Sequence, residues 1–403
     1  MTDHPDAPLR LCVLGDLESI HTRRWMQPFV TRGHELHAVS YYPPSVPLEG
    51  VTVHTLCPKR PPRSDQTPSP AAPPRRLTAV LPPTALRLVN ALRYRRRGLS
   101  TVIRHIQPHL LHSHYVVEYG FFAAVSGFHP LVVTAWGSDI LVAAQTSPLA
   151  RLIARYTLRR ADLITSNNGY MTRKIIDLGV PAEKVATIVL GADRFFLEQP
   201  EAGVNARDPD PGYPPTVIST RSLDSPLYEI DTVLRAMAVV RRRLQTAQLL
   251  VAGSGRSQPA LQKLAQDLGL AENVRFLGFL DQEALRSALA SAHVYVSVPR
   301  SDATSVATLC AMAAGCFPVV SDLPTQEEWI EDGVNGLRVP VGDVAALARH
   351  LGDALENAAL RRDAAPRNRR LVEERGLWET YVPQMETWYR RLAHRDDQRP
   401  PTD

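Results

Sequence analysis

Short apolar runs recur along the chain, and most are followed by a longer segment in which apolar residues repeat every three to four positions. Residues 9–14 read as a buried strand, and 21–32 as a helix with Trp25, Met26, Phe29 and Val30 on one face. Gly33 ends that helix, and 35–41 read as a second strand. The same reasoning predicts strands at 110–115, 131–135, 161–166 and 185–191, with a helix over 171–178. Beyond a polar stretch at 200–215, strands are predicted at 216–220, 249–252, 274–279, 294–298 and 317–321. Helices at 229–243, 258–268, 281–290 and 305–314 alternate with them, and a last helix carries Trp378, Trp388 and Tyr389. Strands alternating with helices predict α/β architecture with parallel sheets, and 403 residues give room for two such domains with the hinge in the polar stretch.

Composition changes this picture in two places. Nine prolines between Pro58 and Pro83 are too many for a helix or an inner strand, so 58–83 is expected to be an exposed loop. Between Pro58 and Arg104 eleven Lys or Arg face Asp65 alone, a local balance of +10 within a chain of net charge +5. The helix expected after the loop carries Leu86, Val89, Leu92 and Arg93 on one face and ends in Arg95, Arg96 and Arg97 before Gly98. Two readings stand: a solvated surface helix with its cations at the favourable end of the dipole, or a face in 84–104 that touches an anionic membrane. No apolar run has signal-peptide or membrane-spanning length, so a cytoplasmic protein is expected, peripheral at the inner face of the membrane if the second reading holds. Nucleic acid is not an expected partner. Cys12, Cys57, Cys310 and Cys316 lack metal-ligand spacing and are expected as buried thiols, and no metal site is predicted.

Candidate chemistry lies where strands end. In an open parallel sheet ligands bind beyond the carboxyl ends of the strands. Two expected strands of the first half run into His112-Ser113-His114-Tyr115 and Trp136-Gly137-Ser138-Asp139. In the second half the strand at 294–298 breaks at Pro299, and Asp302, Thr304 and Ser305 offer caps for the next helix. Free amides and the positive end of the helix dipole converge there, a place suited to a diphosphate. Gly253-Ser254-Gly255 follows another strand; the pattern alone is a weak signal.

The stretch 294–315, with Asp302, its loop and Ala311-Met312-Ala313-Ala314-Gly315, resembles the motif of the retaining glycosyltransferases of family 4. Other blocks resemble that family in the same order: Ser19 to Trp25, Arg32 to Leu36, Gly191-Ala192-Asp193, Val274 to Phe279, and Gly333 to Leu337. Ala135-Trp136-Gly137-Ser138-Asp139 resembles one of its branches. The resemblance implies a GT-B fold, two Rossmann-like domains with parallel sheets facing across an interdomain cleft. Residues 1–197 would form the acceptor domain, 198–376 the nucleotide-sugar domain, and 377–395 a helix crossing back to the first. It further implies that Arg221 and Asp302 act on the donor, with His114 the catalytic residue of the first domain. Gly253, Gly255, Phe279, Thr304, Ser305, Val306, Tyr228 and Cys310 would line the donor, and His21, Glu118, Trp136, Gly137 and Asp139 the acceptor. The donor would be UDP- or GDP-linked and the acceptor a glycan, lipid-linked or small molecule, with no cofactor and no metal.

Three positions depart from the family pattern. Cys310 stands where a second acid accepts bonds from the ribose, Tyr228 where a lysine clamps the diphosphate, and Ala303 where the loop has glycine. A thiol is a poor acceptor and a phenol brings no charge. These departures motivate a second class of function, a non-catalytic GT-B binding or partner protein with a degenerate donor site. A third, an epimerase acting on the nucleotide sugar, finds no support in the first-domain motifs.

Overall fold

The computed structural model describes residues 7–57, 98–198 and 214–396. The proline-rich loop expected at 58–83, the basic helix up to Arg97 and nearly all of the polar stretch 200–215 lie outside the described residues. The chain divides into two compact units, Met1–Ile188 with Val382–Asp403, and Val189–Tyr381.

The first unit holds a seven-stranded sheet of β1 (Arg10–Leu14), β2 (Glu35–Ser40), β3 (Val51–Thr55), β4 (Leu110–His114), β5 (Leu131–Thr134), β6 (Leu163–Ser166) and β7 (Val185–Thr187). Their order is β3-β2-β1-β4-β5-β6-β7, and every pairing is parallel. β4, β5 and β6 are buried along their whole length. A parallel strand covered on both faces favours apolar residues, which is why β5 reads as a continuous run, whereas β4 buries His112, Ser113 and His114 at its carboxyl end. The helix Ile20–Thr31 buries Trp25, Met26 and Phe29, as its periodicity predicts.

The second unit holds six parallel strands, β8 (Thr216–Ser219), β9 (Gln248–Val251), β10 (Val274–Phe276), β11 (Val294–Ser297), β12 (Phe317–Ser321) and β13 (Leu337–Val339). The order is β10-β9-β8-β11-β12-β13. The helix Ile230–Arg243 packs Val233, Leu234, Met237 and Val240 into a core shared with β8, β9, β11 and the helix Val344–Glu356. Two expected strands are shorter than read. β10 stops at Phe276, ahead of Gly278 with its φ of +71°, and β7 stops at Thr187. Residues from Val189 belong to the second compact unit, with Val189, Ala192 and Phe196 in its core.

In both sheets the strand order reverses direction beside the first strand, between β1 and β4 and between β8 and β11. These are the switch points at which a doubly wound sheet opens a crevice at its carboxyl edge. A second feature marks the chain's passage through the second unit. Ala192 forms a parallel bridge with Leu377, with Ala192 N–H donating to Gly376 O (2.7 Å) and Trp378 N–H to Ala192 O (3.0 Å). A Cβ on Gly191 would lie 1.9 Å from Gly376 O, so only glycine permits this approach.

Candidate functional site

At the switch point of the second unit, β8 runs into Arg221 and β11 into the loop that carries Asp302. Arg221 Nη2 lies 2.9 Å from Asp302 Oδ2, and Nη1 donates to Ser305 Oγ at 2.7 Å. Ser305 caps the helix Val306–Ala314, its hydroxyl also accepting from Thr308 N–H at 3.2 Å. Arg221 thus sits at the positive end of that helix and is 8% exposed. Burial works against its charge, but the Asp302 carboxylate outweighs it and holds the guanidinium protonated. Burial raises the Asp302 carboxyl, while Arg221 and the Ala303 amide pull it back toward the ionised form. Asp302 Oδ1 accepts from Ala303 N–H (3.0 Å), and Thr325 Oγ1 donates to the Asp302 carbonyl (2.9 Å), fixing the loop. Thr304 Oγ1 accepts from Trp329 Nε1 at 3.3 Å.

The loop after β8 is shaped by Tyr228 and by Glu229, the second of which the sequence left without a role. The Tyr228 ring lies beneath Arg221, Cζ 4.2 Å from its centroid. Glu229 follows in the left-handed conformation, φ +53°, which favours glycine, yet it is buried. Its carboxylate accepts from Thr232 Oγ1 (2.6 Å) and pairs with Arg300 of the β11 loop, while Arg300 N–H donates to Leu227 O (3.0 Å). A non-glycine positive φ has no sequence signature, so Glu229 and Arg300 were not legible as site residues.

Gly253 and Gly255 serve close packing. Cβ atoms there would lie 2.2 Å from Arg221 O and 2.2 Å from the Leu223 carbonyl carbon, so the two glycines let the β9 loop lie against the segment carrying Arg221. Phe279 is 73% exposed on the loop after β10. Cys310 is 5% exposed, within the apolar cluster that includes Leu309, Ala311 and Met312, and all four cysteines are buried thiols. Among the described residues no group of three His, Cys, Asp or Glu could hold a metal ion.

At the switch point of the first unit, His114 ends β4 and its Nδ1 meets Thr22 Oγ1 at 3.2 Å. Nε2 is buried without a hydrogen-bond partner among the described residues. Trp25 and Trp136 stand edge-on to the His114 ring at 5.5 and 5.2 Å, and His21 stacks on Trp136 at 5.4 Å. Gly137, with φ +112°, turns the loop so that the Asp139 carboxylate accepts from the amides of Val116, Trp136, Gly137 and Ile140. Both carboxylate oxygens are therefore engaged in holding the loop. Burial still raises the Asp139 carboxyl, with the four amides opposing. Glu118 precedes the helix Tyr119–Ser126 and is half-buried. Behind His114, His112 bonds Tyr389 Oη (2.5 Å) and Thr134 Oγ1 (2.6 Å), and Trp25 Nε1 donates to Tyr389 Oη (3.0 Å).

Burial holds both histidines neutral, His112 well below its ordinary value and His114 lowered to about 3. Between about pH 3 and the ordinary value of 6.5 the unfolded chain binds a proton that folded His114 refuses. Its contribution to stability is therefore complete above pH 6.5 and is lost as pH falls, by about 2 kcal/mol at pH 5. Thermal unfolding is expected to show a midpoint that drops from pH 7 to pH 5, with a shallower drop in His114→Gln. An unchanged pH slope in that variant would mean that His114 is hydrated and titrates normally.

Two Rossmann-like α/β units in one chain, each with its polar cluster at a sheet switch point, constitute the GT-B class of fold. HepE of Anabaena, solved in complex with UDP, shares it, with a TM-score of 0.70 at 17% identity over 95% of this chain and all of that one. Residues 211–371 match the family model of glycosyl transferases group 1, and residues 48–168 that of glycosyl transferase 4-like proteins. It is 36% identical over 155 residues to a phosphatidyl-myo-inositol mannosyltransferase of Mycobacterium leprae, 37% of this chain and 40% of that protein. A GDP-mannose-dependent alpha-(1-6)-phosphatidylinositol monomannoside mannosyltransferase of Mycolicibacterium smegmatis is 28% identical over 245 residues, 59% of this chain and 63% of that protein. The chain thus spans 40% and 63% of the length of these two curated relatives.

Proposed function

We propose that the protein is a retaining glycosyltransferase that takes a sugar from a UDP- or GDP-linked donor without a metal ion. The observation that carries this is the meeting of Arg221, Asp302 and Ser305 at the ends of β8 and β11 and at the start of the helix Val306–Ala314. The amides of Thr304, Ser305 and Val306 would receive the diphosphate, with Arg221 stabilising the negative charge that grows on it as the glycosidic bond breaks. Asp302 would accept hydrogen bonds from the sugar hydroxyls. The acceptor, a glycan, lipid-linked or small molecule, would bind at His21, Glu118, His114 and Trp136, while Gly137 and Asp139 hold that loop in shape. Attack from the face that the diphosphate leaves would retain configuration, a phosphate oxygen taking the acceptor's proton. The mannosyltransferase relatives and the UDP complex of HepE support a nucleotide-diphosphate donor.

The burial of Cys310 favours one rival, a GT-B protein that binds without catalysis. A panel of UDP- and GDP-hexoses separates the two. Purified protein is expected to hydrolyse or transfer from one of them in excess EDTA, the product keeping the donor's anomeric configuration by NMR. Binding without turnover across the panel and a set of acceptors would leave the rival. Inverted product would refute the retaining mechanism. No described helix is long and apolar enough to cross a membrane.

A further inference from the structure

We infer that Arg300 is a second cation of the donor site, a direct ligand of the diphosphate, and that Glu229 is the positioning residue that holds it there. The inference rests on the donor reading given above. A nucleoside diphosphate brings at least two negative charges, but the buried cation at the switch point, Arg221, is already matched by Asp302 at 2.9 Å. Tyr228, packed under that guanidinium, adds no charge. Arg300 lies two residues before Asp302 on the same loop and is 66% exposed at its side chain. Its backbone is fixed by the bond to Leu227 O and its Nε by Glu229. A guanidinium has five N–H donors in a planar fork, and the Nε bond engages only one of them. Its two terminal nitrogens bond no protein group among the described residues.

Glu229 is built for this task at a cost to the backbone. A left-handed non-glycine residue and a buried carboxylate are each unfavourable, and both persist here because Thr232 and Arg300 occupy the two carboxylate oxygens. Only two other described non-glycine residues, Gln107 and Tyr115, have positive φ, and both lie in the first unit. The carboxylate thereby orients an exposed arginine that would otherwise sample many rotamers, which lowers the entropy lost when it meets an anion.

The test is calorimetric titration of the full chain with UDP, GDP, uridine and guanosine. Arg300→Ala is expected to weaken the preferred diphosphate at least tenfold and to leave its nucleoside unchanged, and Arg300→Lys to recover part of the loss. Glu229→Gly relieves the backbone and should melt no lower than the parent, yet it should weaken the diphosphate about threefold because Arg300 loses its anchor. Parent protein that binds the diphosphate together with Arg300→Ala protein that binds it within twofold would overturn the inference and leave the donor reading standing. Equal losses for diphosphate and nucleoside would also overturn it, since Arg300 would then act only through loop shape. Parent protein that binds neither diphosphate would sink the donor reading itself, and the inference with it.

Discussion

Arg221→Ala is expected to lower kcat/KM for the proposed nucleotide-sugar donor by two to three orders of magnitude, the effect of removing one preorganised donor from a developing negative charge. The structure adds a second consequence. Because the Arg221 side chain is 9% exposed and bonds both Asp302 and the cap Ser305, its loss also leaves a partly buried carboxylate without its cation. That costs about 2 kcal/mol, below the range for a fully buried pair, because Asp302 keeps 17% exposure and can take up a proton. Steady-state kinetics and thermal melts on the single variant and on Arg221→Ala/Asp302→Asn separate the two effects. The double variant should regain stability and remain inactive. Unchanged turnover in Arg221→Ala would remove this arginine from the reaction.

Cys310→Glu is the second large effect, and it bears on the rival without catalysis. Were Cys310 to face a ribose, a carboxylate there would add two acceptors and raise nucleotide affinity roughly tenfold, about 1.4 kcal/mol. The side chain lies instead at 5% exposure among Leu309, Ala311 and Met312. A carboxylate placed in that apolar cluster should protonate or disrupt its surroundings, at a cost of about 3 kcal/mol or more. For a unit of this size that lowers the melting temperature by roughly 6–12 °C. Differential scanning calorimetry with nucleotide titration decides the matter. Stable Cys310→Glu protein with tighter nucleotide binding would place this position on the donor after all.

What the sequence made legible follows the physics of burial. Strands such as β5, β11 and β12, covered on both faces, announced themselves as apolar runs. β3 did not, because it is an edge strand whose residues are half-buried or exposed. The helix Ala358–Arg375 also gave no periodic signal, since two of its anchors are polar. Arg361 donates to the carbonyls of Ala354 and Leu355, and Asn368 exchanges hydrogen bonds with Asn335. At the site, Asp302 and Ser305 were readable as caps of the following helix, while Arg221 entered only through the family resemblance. The pairing of the three was not legible, because it depends on β11 lying beside β8 with β9 and β10 on the other side. Glu229 lay further still from view. Its backbone conformation is set by tertiary bonds to Arg300 and Thr232 and not by its own preference.

The parallel bridge between Ala192 and Leu377 has a topological meaning. The second unit begins at Val189 and ends at Tyr381, and close to both ends the chain is stitched to itself, with Gly191 and Gly376 in backbone contact. In covalent terms residues 189–381 are an insertion into the first unit, a long loop whose mouth has been sewn shut. The entropy of closing such a loop grows only with the logarithm of its length, so the stitch makes the cost to the first unit nearly independent of what the loop contains. The second unit can thus lengthen or shorten its own loops without moving its two ends apart, and Gly191→Ala, whose Cβ would meet Gly376 O, would unpick that stitch.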